Sequence, residues 1–244
     1  MTGSEVLPPS LHIEAITVGP IDTNAYLVGD PVTRDAVLVD PGAEAGRIVD
    51  RVRRGDWRVR EIWLTHAHFD HVCAVDEVVA ALGAGVGAGG GQDTDAATEV
   101  GADGGDLPVR MHPDDRELYA AAARLAWAFA GVVVPQPRTP TLDLEHDERL
   151  RAGSVSAVVR HVPGHAPGHV VFVLDGADDA VIAGDTLFLG SVGRTDIPGG
   201  DHELLVAGIR RELFPLPPET VVWPGHGPPT TIRREAAENP FLAS

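Results

Sequence analysis

Short apolar runs alternate with amphipathic stretches along most of the chain, and this pattern predicts both strands and helices. The strand-like runs are residues 11–18, 25–28, 36–39, 61–64, 108–111, 155–161, 170–174, 180–183 and 220–223. The helix-like stretches are residues 44–54, 72–82, 113–130, 201–213 and 232–237. Many of the strand-like runs end at a Gly, Pro, His or Asp. The pattern predicts a layered α/β fold, in which polar residues at strand ends gather at one edge of a sheet.

Residues 83–105 differ in composition from the rest, because nine of these 23 residues are glycine and acidic residues are scattered among them. Such a stretch has little apolar surface to bury. We expect a single domain over residues 1–244 with a Gly/Asp-rich surface insertion at about 83–105. A linker between two domains is the alternative, which is disfavoured because the preceding part of the chain contains no complete core.

Composition and charge narrow the class of protein. Of the 244 residues, 43% are apolar and 23% are charged, as in ordinary folded proteins. The formal charge of −17 argues against nucleic acid and anionic membranes as partners. Arg124 and Gly131 interrupt the longest apolar stretch, which falls short of the roughly 20 residues of a membrane span. Because residues 1–10 do not resemble a secretory signal and Cys73 has no partner for a disulfide, we expect a cytoplasmic protein.

The segment Thr65-His66-Ala67-His68-Phe69-Asp70-His71 carries the strongest chemical signal. Three imidazoles and a carboxylate follow a strand-like run directly, and both groups are good ligands for zinc or iron. His66 and His68 have the spacing to share one ion. Asp70 and His71 then suit a second ion about 3.5–4 Å from the first. A solvated polar loop is the alternative interpretation.

Three further candidate ligands each follow a strand-like run and have glycine neighbours: His165, Asp185 and His226. Glycine permits tight turns and a close approach of the backbone to an ion. Each residue alone is more typical of an ordinary polar turn. Together with the histidine cluster, the three complete a set of ligands for two metal ions.

This set resembles the metallo-β-lactamase fold hydrolases, because the order His-x-His-x-Asp-His, then His, Asp and His, spans nearly the whole chain. Residues 163–169, 184–188, 190–196 and 223–227 look like those of the glyoxalase II (hydroxyacylglutathione hydrolase) branch. The closing Asn239-Pro240-Phe241-Leu242 looks like the shorter bacterial proteins of that type. The resemblance implies a four-layer αββα sandwich.

The resemblance also implies the role of each ligand and a reaction. His66, His68 and His165 would hold the first ion, Asp70, His71 and His226 the second, and Asp185 would bridge the two. The ions would be divalent, with zinc expected and iron or manganese as alternatives. A hydroxide between them would attack a small-molecule thioester such as an S-2-hydroxyacylglutathione, and Asp70 is assigned a catalytic role in addition to ligation. Cys73 is interpreted as a small packing residue.

The longer glyoxalase II enzymes carry a C-terminal helical domain that grips the glutathione carboxylates, whereas only 18 residues follow His226 here. The thiol carrier, the acyl group and the oligomeric state are therefore left open. Alternative functions are a persulfide dioxygenase with one iron, a lactonase or β-lactamase, and a binding protein without activity.

Four residues around the ligands have two interpretations each. Asp40 is either an acceptor for the free N–H of a ligand imidazole or a turn carboxylate. His169 is either a pocket donor or, as we favour, a structural residue. Arg194 and Asp196 either border the pocket or form a loop ion pair. The remaining histidines are interpreted as surface or core residues, and Trp57, Trp63 and Trp127 as packing residues.

Overall fold

The computed structural model describes residues 11–83, 107–176 and 179–242. The predicted insertion at 83–105 lies outside these residues, apart from Gly83. The strands are β1 His12–Val18, β2 Thr23–Gly29, β3 Asp35–Val39, β4 Arg58–Trp63, β5 Val109–Met111, β6 Leu142–Asp143, β7 Arg149–Ala152, β8 Val155–His161, β9 Val170–Leu174, β10 Ala180–Gly184, β11 Leu187–Phe188, β12 Ser191–Val192, β13 Val221–Pro224 and β14 Thr230–Thr231. The helices are α1 Ala45–Arg54, α2 Phe69–Val72, α3 Val75–Gly83, α4 Arg116–Ala120, α5 Ala122–Leu125, α6 His202–Glu212 and α7 Ile232–Glu238.

Two six-stranded sheets form the centre of the fold. The first has the order β1-β2-β3-β4-β5-β6, and its strands from β3 to β6 run parallel. The second has the order β14-β13-β10-β9-β8-β7. In this sheet β13 is parallel to β10, and β8 has the same direction as β10 because both are antiparallel to β9. The carboxyl ends of β8, β10 and β13 therefore lie at the same edge.

Alternation of buried side chains along the strands divides the apolar residues into three layers. In β3, Leu38 packs with residues of α1 and α3, whereas its neighbours Val37 and Val39 face the second sheet. In β9, Phe172 joins the layer between the sheets and Val171 packs with α6 and α7. Successive residues of a strand point to opposite faces, so both sheets are covered on both sides. The resulting order is helix, sheet, sheet, helix, which confirms the expected αββα architecture.

The region 113–130 differs from the single helix that the pattern predicts. It contains a 3₁₀ turn at Pro113–Asp115, the short helices α4 and α5, and a π-helical turn at Ala126–Ala130. Similarly, the predicted helix 72–82 is divided, because α2 ends at Val72 and α3 begins at Val75. Continuous apolar composition without a consistent helical face cannot locate such breaks.

The three tryptophans that were predicted to pack in the core differ in their burial. Trp63 is fully buried between the sheets and Trp57 packs at the edge of the first core layer, as predicted. The prediction for Trp127 is wrong, because 64% of its surface is exposed.

Among the described residues, no helix has both the length and the apolar character that spanning a bilayer would require.

Candidate metal centre

All seven predicted ligands lie at one edge of the two sheets. The first sheet contributes His66, His68, Asp70 and His71, which follow the carboxyl end of β4 and continue into α2. The second sheet contributes His165 from the loop after β8, Asp185 after β10 and His226 after β13. Because the parallel strands end at this edge, residues more than 150 positions apart in the sequence meet there.

His66, His68 and His165 form the first group. Their ligand atoms lie within 4.8 Å of one another. The His66 ring lies 4.7 Å from that of His68 and 4.9 Å from that of His165, measured between centroids, and each pair is edge-to-face. His66 and His165 are buried, so these nitrogens face each other away from bulk water.

Asp70, His71 and His226 form the second group. Asp70 Oδ2 lies 3.3 Å from both His71 Nε2 and His226 Nε2. Two ligand atoms of a tetrahedral zinc ion, each at about 2.0–2.1 Å from the metal, are about 3.4 Å apart. The distances between Asp70 Oδ2 and the two imidazole nitrogens are therefore those expected for ligands of one shared ion.

Asp185 lies between the two groups. Its Oδ2 is 3.4 Å from His165 Nε2 in the first group, and its Oδ1 is 3.5 Å from His71 Nε2 in the second. Gly225 makes room for this carboxylate, because a Cβ at that position would lie 2.0 Å from Asp185 Oδ1. Asp185 therefore lies within 3.5 Å of a ligand nitrogen in each group.

The other ring nitrogen of each buried ligand histidine is held by an oxygen acceptor. His71 Nδ1 donates to Asp40 Oδ2 at 3.0 Å, and His165 Nδ1 donates to the carbonyl of Arg194 at 2.8 Å. His66 Nδ1 donates to the hydroxyl of Thr65 at 3.0 Å, which itself donates to Asp40 Oδ2. In the neutral imidazole, these bonds place the proton on Nδ1 and leave the Nε2 lone pair free.

The inward-facing atoms fit a metal ion. His66 Nε2, His71 Nε2, His165 Nε2 and Asp185 Oδ1 are buried and have no hydrogen-bond partner in the protein. Leaving such atoms unpaired costs free energy, and one cation in each group would together satisfy all four. Imidazole and carboxylate are suitable donors for zinc, iron or manganese, so the donor set does not select one metal.

The electrostatics of the first group favour neutral imidazoles. Burial lowers the pKa of His68 to about 3 and that of His165 to about 4, and it holds the pKa of His66 well below its usual value. Neutral imidazole is the form that binds a metal. In the second group, burial favours protonated Asp70, but the neighbouring His71 and His226 outweigh it and hold the pKa of this carboxyl well below its usual range.

Several positioning residues carry no local signal in the sequence. The hydroxyl of Thr23 donates to Asp70 Oδ2 at 2.9 Å. The side-chain amide of Asn24 donates to the carbonyls of Pro224 and Gly227, which flank His226. The Thr23 contact joins β2 to α2, 47 residues later, and the Asn24 contacts join β2 to a loop some 200 residues later, so only the tertiary structure reveals them.

The structure shows the contacts of Asp40, His169, Arg194 and Asp196. Asp40 accepts a hydrogen bond from a candidate ligand, as described for His71. His169 is buried and its Nε2 accepts a hydrogen bond from the backbone N–H of Asp185 at 3.0 Å, which is a structural role. The exposed side chains of Arg194 and Asp196 form an ion pair with N–O distances of 2.9 and 3.0 Å.

A further group, His112, Asp114 and His161, lies outside the seven candidate ligands. His112 Nδ1 accepts a hydrogen bond from the backbone of Asp114, and His161 Nε2 donates to the carbonyl of Pro167. The two rings stack nearly parallel with their centroids 4.1 Å apart. These contacts give the three residues a structural role in packing the loops beside the site.

Comparison with known proteins gives consistent matches over most of the chain. The family described as the metallo-beta-lactamase superfamily matches residues 18–226. A Bacillus subtilis protein named probable metallo-hydrolase YqgX is 35% identical over 92% of this chain and 94% of its own length. Hydroxyacylglutathione hydrolase GloC of Haemophilus influenzae is 30% identical over 96% of this chain and 99% of its own.

Two solved structures are similar in both sequence and fold. The BLEG-1 B3 metallo-beta-lactamase has a TM-score of 0.81 and 34% identity, covering 96% of this chain and all of the other. TTHA1623, solved in a di-iron-bound form, has a TM-score of 0.75 and 41% identity, covering 94% of this chain and all of the other.

Proposed function

Because the chain belongs to the metallo-β-lactamase superfamily, we propose that it is a metal-dependent hydrolase of thioesters, similar to glyoxalase II. The two groups of ligand atoms joined by Asp185 carry this proposal, since they suit two divalent ions side by side. The similarity to a hydroxyacylglutathione hydrolase and to a protein solved with two irons supports it. We retain the cytoplasm as the proposed location.

Bound divalent ions would supply a water activated at neutral pH and would polarise the thioester carbonyl. In the net reaction, a water oxygen forms a bond to the acyl carbon and the carbon–sulfur bond breaks. The products are a carboxylic acid and a thiol, to which the protons of water are transferred. No serine or cysteine nucleophile is needed.

The residues of the chain would hold this site in shape. His66, His68 and His165 would bind one ion, Asp70, His71 and His226 the other, and Asp185 both. Asp70 is fixed by the Thr23 hydroxyl, so its carboxylate keeps one orientation beside His71 and His226. A fixed carboxylate at this position would orient the reacting water, which is the catalytic role we propose for it.

The experiment is metal content per chain on purified protein, combined with thiol release from S-lactoylglutathione and from S-acetyl-N-acetylcysteamine. Two metals per chain with thiol release from either thioester would support the proposal. One iron with oxygen uptake on glutathione persulfide would replace it with a dioxygenase. Absence of thiol release from a protein loaded with two metals would overturn it.

The similarity to BLEG-1 favours β-lactam hydrolysis as a second candidate. A carbonyl attacked by an activated water is common to both reactions, and one fold supports several substrates. Adding nitrocefin to the same preparation tests this candidate directly. Cleavage of nitrocefin without cleavage of thioesters would favour the lactamase.

A further inference from the structure

A cavity of about 170 Å³ opens beside Asp70, which alone of the seven candidate ligands is among its lining residues. Its other walls are mostly apolar and include Ile21, Phe69, Ala74, Ala126, Val132 and Val134. The mechanism proposed above uses none of these six side chains. An apolar cavity that continues from a polar reaction centre is typical of a site for part of a substrate.

The carboxyl groups of three acidic residues line this cavity. The ionisable residues in its lining are Asp70, Glu44 and Glu77, together with the thiol of Cys73. No arginine is among its lining residues in the part of the chain that the structure describes, and no lysine occurs anywhere in the sequence. Glu44 is already paired with Arg47 at 3.3 Å, and no cationic side chain in the described lining is available to pair with carboxylates on a ligand. The two carboxylates of a glutathione thioester are therefore poorly suited to this cavity.

The segment 126–134 gives independent support for an apolar ligand. Ala126, Val132 and Val134 line the cavity, and between them Trp127, Phe129 and Val133 are exposed by 64%, 71% and 86%. Packing in the core does not account for these large apolar side chains. Grouped apolar residues on a surface commonly mark a site of interaction.

We propose that this cavity receives an uncharged, apolar acyl group of the substrate thioester. The inference rests on the proposed thioester hydrolysis. The acyl substituent is bonded directly to the reacting carbonyl carbon, so it can reach a cavity that shares Asp70 with the reaction centre. At about 30 Å³ per small group, the volume has room for roughly five or six non-hydrogen atoms. The five-carbon substituent of a hexanoyl group has this size.

The first test varies the acyl chain on one small neutral thiol. For the metal-loaded protein, kcat/KM is measured on the acetyl, butanoyl, hexanoyl and lactoyl thioesters of N-acetylcysteamine. Burial of each methylene is expected to raise kcat/KM by up to about four-fold, so the hexanoyl thioester becomes the best substrate and exceeds S-lactoylglutathione. A series that is flat or falls with chain length would overturn the inference while leaving thioester hydrolysis in place.

The position of the apolar group is tested separately. S-acetyl hexanethiol carries the same chain on the thiol side of the carbonyl. If this compound shows the gain in kcat/KM and the hexanoyl thioester does not, the cavity receives the thiol and the assignment to the acyl group is wrong.

Neighbouring valines provide a matched pair of variants. Val132→Arg places a cation at the cavity, whereas Val133→Arg makes the same change at an adjacent, more exposed residue that does not line it. We expect Val132→Arg to reduce the hexanoyl-to-acetyl ratio of kcat/KM about ten-fold and Val133→Arg to retain the ratio. Equal effects of the two variants would contradict the inference.

Ligand binding to the cavity can be measured without catalytic turnover. The S-hexyl thioether of N-acetylcysteamine has no carbonyl to cleave, and calorimetry should show at least ten-fold tighter binding than that of the S-methyl thioether. The wild-type protein could bind the hexyl thioether selectively, lose this binding in Val132→Arg, and yet cleave no thioester. Such a result would support an apolar ligand in the cavity and overturn the proposed function. Equal binding of the two thioethers would overturn the cavity assignment.

Discussion

The carboxylate of Asp40 accepts a hydrogen bond from His71 Nδ1 at 3.0 Å. Through the hydroxyl of Thr65 the same oxygen also supports His66, which belongs to the other group of ligands. One carboxylate therefore fixes the tautomer of an imidazole in each group. Both bonds leave Nε2 free to face a metal, which makes Asp40 a positioning residue for both ions.

We expect Asp40→Asn to lower metal affinity by about 10- to 100-fold, because the amide has one acceptor oxygen where the carboxylate has two. Asp40 has a φ of 51°, a conformation that asparagine tolerates, so the backbone is compatible with the change. Competition with a chromophoric chelator measures the affinity. Asp35→Asn, which alters a partly buried ion pair with Arg60, is the control, and equal metal retention by Asp40→Asn and wild type would contradict the assigned role.

Asp70→Ala and His66→Ala each remove one candidate ligand from a different group. We expect either change to lower thioester turnover by about 100-fold or more, since each ion contributes to stabilising the developing charge. Metal content should fall towards one ion per chain, and circular dichroism should retain the wild-type spectrum. Asp50→Ala, at an exposed position of α1, is the control. Near-normal activity in either ligand variant would exclude a mechanism with two ions.

The candidate ligands could be predicted from the sequence because their signals are local. Four of them are dense in residues 66–71, and the other three follow strand-like runs next to glycine. Parallel strands then bring their carboxyl ends together, which makes a shared site a consequence of the fold class. The apolar runs at residues 36–39 and 170–174 are likewise typical of strands that are covered on both faces.

The residues that support the ligands could not be predicted in the same way. Asn24 and His226 are joined through the loop at Pro224 and Gly227, and nothing near either residue in the sequence indicates the other. The prediction that Trp127 is a packing residue was wrong for another reason. Apolar composition alone predicts burial, whereas this segment borders a cavity and leaves its large side chains exposed.

Removal of metal should destabilise the folded protein. An ion that binds the native state at 100 times its dissociation constant adds about 2.7 kcal/mol, because the unfolded chain does not assemble the site. For a domain of this size, we expect chelation to lower Tm by roughly 5–10 °C for each such ion. Differential scanning calorimetry with and without EDTA measures the shift, and re-addition of zinc, iron or manganese identifies the metals that restore it. An unchanged Tm after verified metal removal would contradict a metal centre built into the fold.

Asp115 joins the two loops that supply the first group of ligands. Its carboxylate accepts hydrogen bonds from the backbone N–H groups of Ala67 at 2.9 Å and Gly168 at 2.6 Å. Burial nevertheless raises the pKa of Asp115 to about 6, and the nearby charge of Asp114 acts in the same direction. Because this pKa lies above the unfolded value of about 3.8, the contribution of the group to stability is complete below pH 3.8 and is lost as the pH rises through 6.

The pH dependence of unfolding can therefore be tested with Asp115→Asn, which removes the titrating group. We expect the unfolding free energy of wild type, relative to this variant, to fall by about 2.4 kcal/mol between pH 4 and pH 7. Urea unfolding of both proteins under the same chelating conditions measures the difference, and contributions from the ligand histidines cancel in it. The exposed Asp114→Asn variant is the control and should retain most of the wild-type slope. A difference that rises with pH would show that the two backbone donors, rather than burial, determine the pKa of Asp115.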